Sequence, residues 1–574
     1  MGDGMSTLFE PIVLRGVDIP NRIVLPSMTT RLATAEGAIT AELIRYYEAR
    51  AEGGAGLITV EMCSPAAAGR HRKHELGILH DGFVPGLREL TSRIKAAGAR
   101  AAIQIGHAGG HTREDVTGVP PVAPSALPHQ VQEVDVRTVV PRVLTVDGIR
   151  EVVTAFAEAA DRARRAGFDV VEIHGAHGYL IAQFLSPLDN RRTDEYGGSL
   201  RHRARIALEV LQACRKRVGD FPLVFRFSAD EYAPGGLTLD EACELAPWLV
   251  EAGADALHVT GGCYRSRPSG ALMIPPMGYP AATFLHLARA IKARVAVPVI
   301  AVGRLHDPAV VEQLLVEGQA DMVALGRQLI ADPEWPRKVR EGRLDEIRPC
   351  VACNTCVDGM REGDRLHCLV NPLAARESEF ELRPARRPRS VLVVGGGPAG
   401  METARVLALR GHRVTLVNRE RELGGQLRLA AKAPVFQNVE TDAAVLLKVV
   451  AFLGRQLAKV GVDVRLGRTV TTGLVWELRP EVVVLATGAS YRRPLDPVVR
   501  HVLDSRWTRG RRLKRLLTRP GVKRWFYYTL RRANAGLERR LRRLGFEVHR
   551  VGDCHTPGKT PEAMLEAARL AYRL

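Results

Sequence analysis

The 574-residue chain contains no uninterrupted apolar run of about 18 residues, so no membrane-spanning helix is expected. Its opening segment, MGDGMSTLFEP, has neither a basic patch nor an apolar stretch, which argues against a secretory leader and predicts a cytoplasmic protein. Aromatic residues are few, at 5%, although 46% of the chain is hydrophobic, as in an ordinary folded protein. Outside one cluster, cysteine is sparse. Cys63, Cys214, Cys243, Cys263 and Cys554 are scattered and read as small buried hydrophobes rather than a disulfide framework. Acidic residues are nearly missing from residues 500–550, where seventeen Lys/Arg face Asp504, Glu538 and Glu547. Much of the net charge of +19 therefore belongs to one segment.

The length implies two or three domains. The first 345 residues repeat a pattern of short β-branched or apolar runs, each followed by an amphipathic stretch. The runs are IVLPSM (23–28), GLITVEM (56–62), AAIQIG (101–106), VVEIHGA (170–176), LVFRFSA (223–229), ALHVTGG (256–262), PVIAVGR (298–304) and MVALGR (322–327). Eight strands alternating with helices predict an α/β fold, an N-terminal (β/α)8 TIM barrel; a doubly wound sheet is the competing arrangement. Barrel chemistry gathers at the C-terminal ends of the strands. Thr29, Gln104, His174, His177, Tyr179, Arg226, Gly303 and Arg327 all fall at or near those ends.

A second signal is PCVACNTCVDGMREGDRLHCLVNP, in which Cys350, Cys353, Cys356 and Cys368 have the spacing C-x2-C-x2-C-x11-C. Three close thiolates and a distant fourth suit a [4Fe-4S] cubane. Zinc also accepts four thiolates, but usually from two separated C-x-x-C knuckles. Residues 346–389 are read as the cluster segment and linker, and residues 390–574 as a further domain. That domain opens with VLVVGGGPAGMETARVLALRGHRVTLVNRERELGGQL, a glycine-rich turn between a predicted strand and helix. Gly395, Gly397 and Gly400 let the backbone approach a pyrophosphate at the helix N-terminus. Asn418, where an acidic residue commonly holds the ribose, and Gln426 join them as nucleotide-site candidates.

The segment GFDVVEIHGAHGYLIAQFLSPLDNRRTDEYGGSLRHRARIALEV resembles the old yellow enzyme family, in particular its iron–sulfur branch of NADH:flavin oxidoreductases, which includes 2,4-dienoyl-CoA reductase and trimethylamine dehydrogenase. The resemblance runs over nearly the whole chain, with several motifs in family order. It implies that Pro26, Ser27, Met28 and Thr29 line a non-covalent FMN ring and that Gln104 meets its pyrimidine edge. Arg226 would lie near N1, and Gly303 and Arg327 at the phosphate. His174 and His177 would hold a substrate carbonyl oxygen, with Tyr179 as proton donor; the histidine pair read alone is also compatible with metal ligation. Where dienoyl-CoA reductases place a proton-delivering histidine, Tyr264 and Arg265 stand here, and Met62 and Met360 occupy positions of the aromatic bowl that binds methylated amines. PEVVVLATGA (480–489) and VHRVGDCHTPGKTPEAMLEAARLA (548–571) resemble the returning motifs of an FAD domain, with Gly552 and Asp553 as cofactor contacts.

Residues 490–547 lack a second GxGxxG unit and hold a basic insert instead, so the NAD(P)H module is expected to be truncated or absent and NAD(P)H use stays open. The insert, with Trp525, Phe526, Tyr527 and Tyr528 beside its charges, suits an acidic electron-transfer partner such as a flavoprotein or ferredoxin, with an anionic membrane surface as the weaker choice. No nucleic-acid recognition fold accompanies it. Self-association is left open. The expected activity is reduction of an activated C=C bond, in an enone or enoyl or dienoyl thioester, at FMN. The alternative is an amine or N-methyl dehydrogenase or demethylase passing electrons from FMN through the cluster to an external acceptor. A third, a flavin-bearing carrier without catalysis, conflicts with intact His174, His177 and Tyr179.

Overall fold

The computed structural model describes residues 7–265, 267–436, 439–491, 531–533 and 536–574. Most of the basic insert, including Trp525 to Tyr528, lies outside the described residues. The chain forms two compact units, one of residues 1–342 with 356–366, the other of residues 343–355 with 367–574. No helix among the described residues is long and apolar enough to cross a membrane.

In the first unit eight parallel strands close into a barrel: β1 (Ile23–Leu25), β2 (Leu57–Cys63), β3 (Arg100–Ile105), β4 (Val170–Gly175), β5 (Leu223–Ser228), β6 (Ala256–Thr260), β7 (Val299–Val302) and β8 (Met322–Ala324). Each coincides with one of the eight runs read from the sequence, with Cys63 and Arg100 each lying one residue outside its run. β8 pairs back onto β1 through Val323↔Ile23 and Ala324↔Val24, which removes any free edge. Strands buried on both faces favour continuous aliphatic runs, and this is why β2 and β4 are buried along their whole length. The barrel core is built from Val24, Leu57, Ala102, Val170, Val224, Ala256, Ile300 and Met322, one from each strand. The antiparallel hairpin Ile12–Leu14/Val17–Ile19 adds Leu14 and Ile19 to this cluster.

The helices are capped by local chemistry. Thr145 accepts from the Gly148 N–H at the start of Val146–Arg165, and Ser199 accepts from the His202 N–H at the start of Leu200–Val218. Thr238 and Glu241 form a reciprocal capping box on Leu239–Glu251.

The second unit carries a five-stranded parallel sheet, β9 (Ser390–Val394), β10 (Arg413–Val417), β11 (Asp463–Arg465), β12 (Val482–Leu485) and β13 (Glu547–Arg550), in the order β11-β10-β9-β12-β13. β9, the first of these strands in sequence, lies at the centre of the sheet, with β10 and β11 added on one side and β12 and β13 on the other, so strand order reverses at β9. In open α/β sheets ligands bind at the carboxyl ends of the strands next to such a reversal.

Truncating Ile300 to Ala in the barrel core should lower stability by about 2–5 kcal/mol, read as a fall in the thermal midpoint of the barrel unit. A midpoint unchanged within error would mean that this layer is not close-packed.

Candidate functional site

Strand register assembles a polar patch inside the upper barrel. His174 on β4 pairs with Arg226 on β5, and Arg226 with His258 on β6. Two residues earlier on β4, and so on the same face, Glu172 pairs with Gln104 of β3. Glu172 is buried and both its oxygens are used: Gln104 Nε2 donates to Oε1 at 2.6 Å, and His258 Nδ1 lies 2.7 Å from Oε2. Burial pushes the Glu172 carboxyl up, but His258 and Arg226 outweigh it and hold it below the usual carboxylate range. Gln104 donates from its amide nitrogen, so its carbonyl oxygen remains to accept a hydrogen bond from a ligand.

Three nitrogens in this patch are buried without a protein partner: His174 Nδ1, Arg226 Nε and His258 Nε2. Three such atoms on facing positions of three adjacent strands leave room for a ligand to partner them. Two imidazole nitrogens, a cation and an amide carbonyl suit the pyrimidine edge of a flavin, which offers both acceptors and an N–H.

Above this layer, the β4 strand ends in a tight loop. His177 adopts a left-handed conformation, φ 64°, which is costly for a non-glycine residue. It is held there by its N–H donating to Ser228 Oγ at 3.0 Å and by Nε2 lying 3.2 Å from Thr260 Oγ1. The His174 and His177 rings stand edge to face with centroids 5.4 Å apart, and Tyr179 is 5.0 Å from His174. Burial drives both histidines well below their ordinary pKa, so both are neutral and each has one N–H to donate. Burial pushes the Tyr179 phenol well up, which keeps it protonated. Gln183 pins this loop, donating to Gly178 O and accepting from Gly110 N–H.

The Tyr179 hydroxyl lies 3.1 Å from His71 Nδ1 and 3.3 Å from the Tyr264 hydroxyl. Tyr264 stacks on His111 with centroids 3.7 Å apart. Burial raises the Tyr264 phenol, but Arg361 and Arg72 act more strongly and leave it below its ordinary value. Glu172, His258, His71 and His111 escaped the sequence reading. Glu172 and His258 had a signal, a charged or polar residue inside an apolar strand run, whereas nothing in the pattern of the loop holding His71 marks it.

The remaining barrel candidates are at the strand ends. Pro26, Ser27, Met28 and Thr29 follow β1; Gly303 follows β7 at φ 114°; Arg327 lies in the short helix Gly326–Ala331 after β8. A Cβ on Gly326 would come within 2.9 Å of Met28 Sδ and 3.1 Å of Pro26 Cγ, so the β1 and β8 ends close on one another.

In the second unit, a Cβ at Gly395 would lie 2.3 Å from Ala486 O and one at Gly400 2.0 Å from Gly395 O, so both positions require glycine. Gly397, at the N-cap of Pro398–Leu409, meets nothing within 4 Å and leaves its face open to a phosphate. Gly552 packs here too, since its Cβ would lie 2.9 Å from Ala399 Cβ. Asn418 braces the turn rather than facing outward: Oδ1 accepts from Gly396 N–H, and Nδ2 donates to Glu420 O and Glu422 O. Gln426 donates to Ala489 O at 2.7 Å, and Asp553 accepts from Gly558 N–H at 3.0 Å.

The cysteine segment coils tightly through left-handed Ala352 and Asn354. Burial, followed by the neighbouring Cys353 and Cys350, pushes the Cys368 thiol up to about 12. Among the described residues no group of three His, Cys, Asp or Glu side chains is arranged to hold a metal. Cys356 belongs to the helix Thr355–Arg361. The chain beyond it is tied to the barrel unit: Met360 O accepts from Arg31 Nε, Arg361 O from Val134 N–H, and Leu366 N–H donates to Thr30 O.

Residues 7–346 match the family described as NADH:flavin oxidoreductase / NADH oxidase, and residues 382–518 match Pyridine nucleotide-disulphide oxidoreductase. The chain is 42% identical over 499 residues to an NADH oxidase of Thermoanaerobacter brockii, covering 86% of this chain and 74% of that protein. It is 36% identical over 520 residues to a cinnamate reductase of Clostridium sporogenes, covering 86% and 75%. A solved structure of 2-naphthoyl-CoA reductase with 2-naphthoyl-CoA superposes at TM-score 0.89 with 26% identity over 99% of both chains.

The neutral histidines make the barrel acid-sensitive. An unfolded histidine takes up a proton near pH 6.5, whereas burial holds folded His107 and His129 down to about 4. Between those values the unfolded state binds more protons, so this stability is complete above pH 6.5 and is lost as pH falls towards 4. Glu61, Glu75 and Glu231, raised by burial to about 7, 8 and 7, act in the opposite sense in wild type and variant alike. The expected difference is therefore that His129→Asn loses less thermal midpoint than the wild type between pH 6.5 and 4.5. An equal slope in the variant would remove His129 from the account.

Proposed function

The chain belongs to the NADH:flavin oxidoreductase / NADH oxidase family, and from that premise we propose that it reduces the activated C=C bond of a conjugated acyl compound, an enoate, enone or enoyl thioester, at FMN held in the barrel. The observation that carries this reading is the trio of buried neutral His174, half-buried neutral His177 and buried protonated Tyr179 beside partnerless His174, Arg226 and His258 nitrogens. Conjugated acyl groups in the names of two relatives, cinnamate reductase and 2-naphthoyl-CoA reductase, support the substrate class.

Pro26, Ser27, Met28 and Thr29 would flank the FMN ring, Gln104 would accept from its pyrimidine N–H, and Gly303 and Arg327 would hold its phosphate. When bound, FMN supplies hydride chemistry. The rest falls to the protein. His174 and His177 donate N–H groups to the substrate carbonyl oxygen, which draws electron density from the β-carbon and stabilises the enolate that develops. Arg226 places a positive charge beneath the site, where negative charge accumulates on reduction. Tyr179 holds its proton at Oη and delivers it to the α-carbon.

Cys350, Cys353, Cys356 and Cys368 are proposed to hold a [4Fe-4S] cluster, on the strength of their spacing and the all-thiol donor set. Gly395, Gly397, Gly400, Asn418, Gln426, Gly552 and Asp553 would shape an FAD site, with Asn418 acting through the turn it braces. The basic residues of 500–550 would face an acidic electron-transfer protein.

In anaerobic stopped-flow, reduced holoenzyme mixed with a conjugated enone or enoate should be reoxidised, and Tyr179→Phe should slow this by about 10²- to 10⁴-fold without releasing FMN. Oxidation of secondary or tertiary amines with no reaction toward any conjugated acyl compound would replace this reading with amine dehydrogenation. Purified protein should contain four iron and four labile sulfide, and Cys368→Ser should lower both; zinc in their place would overturn the cluster.

A further inference from the structure

A phenol that gives its proton to carbon is left as a buried phenolate, which is costly until it is reprotonated. Tyr179 therefore needs a proton source that survives burial. Its hydroxyl lies 3.1 Å from His71 Nδ1. His71 is 4% exposed and its Nε2 is buried without a partner. The next ring is His111, with centroids 5.9 Å apart, and its Nδ1 is likewise buried and partnerless. Beyond it, His129 follows at 6.3 Å, and its Nε2 lies 3.8 Å from the Asp189 carboxylate. Three imidazoles thus form a file leading away from Tyr179.

We propose that His71 recharges Tyr179 after each turnover, as the first member of a proton relay through His111 and His129. The inference rests on the reading of Tyr179 as proton donor. In the step, the Nδ1–H bond of His71 breaks as an O–H bond forms on the Tyr179 phenolate. The His71 ring takes a proton at Nε2 from the side of His111, rotation of the ring between turnovers resets the resulting Nε2–H tautomer, and solvent supplies one proton per turnover. No electrons move. Burial, aided by Arg72 and other nearby cations, keeps His71 well below its ordinary pKa; burial does the same to His111, and holds His129 down to about 4. Neutral rings can both give and take, which a fixed imidazolium could not. Tyr264, 3.3 Å from Tyr179 and stacked on His111, shares a hydrogen bond with the phenolate while it waits.

A relay has a kinetic signature that a merely structural histidine lacks. Tyr179 enters the first turnover already protonated, so only later turnovers need His71. Wild-type, His71→Phe and His111→Phe holoenzymes would be reduced anaerobically and mixed with a conjugated enone. First-turnover flavin reoxidation should stay within about threefold of wild type. Steady-state turnover driven by reduced methyl viologen should fall by about tenfold or more, giving a burst, and added imidazole should restore it. The solvent isotope effect should grow in the steady state only. Equal slowing of first and later turnovers would make His71 a residue that orients Tyr179 and would overturn the relay, as would an unchanged steady state in both variants. Unimpaired first turnover in Tyr179→Phe would instead sink the proton-donor reading itself.

Discussion

The first unit is organised around one buried carboxylate. Glu172 sits inside a closed barrel, where an unpaired charge would cost several kcal/mol, and it is tolerated because Gln104 and His258 take both oxygens and Arg226 supplies positive charge. That constraint reaches the ligand site directly. It engages the Gln104 amide nitrogen so that the carbonyl is left as the accepting end, and it commits His258 Nδ1 so that Nε2 is left for another partner. Removal of the carboxylate would free the amide to turn and leave two polar groups to find new company.

Burial does a second job one layer higher. The same low-dielectric surroundings that make Glu172 demanding keep His174 and His177 neutral and Tyr179 protonated. Neutral imidazoles donate hydrogen bonds without drawing in anions, and a protonated phenol is a workable acid toward a carbanion-like centre. The left-handed backbone at His177 is the cost of aiming that ring, and Ser228 and Thr260 offset it. Backbone strain and the proposed acid–base groups thus share the few residues at the end of β4.

In the second unit the limiting factor is space rather than charge. Gly395 and Gly400 sit where any Cβ would strike a carbonyl oxygen, while Gly397 faces open room. The helix Pro398–Leu409 can therefore pack close to β9 and still present backbone N–H groups at its start. Asn418 spends its hydrogen bonds on holding this turn in shape.

Periodicity and local chemistry determined the elements. All eight barrel strands were legible because strands buried on both faces must be aliphatic and helices between them amphipathic, and the glycine turn was legible because its steric demands are local. His174, His177 and Tyr179 were readable because they fall within a few residues of one strand end. What tertiary structure alone decided was which distant residues meet. Glu172 pairs with Gln104 and His258 from strands 68 and 86 residues away, and Tyr179 with His71 from 108 residues away. Such pairs depend on barrel closure and strand register, which no local pattern encodes. The same closure, by excluding water, sets the protonation states on which the proposed chemistry turns.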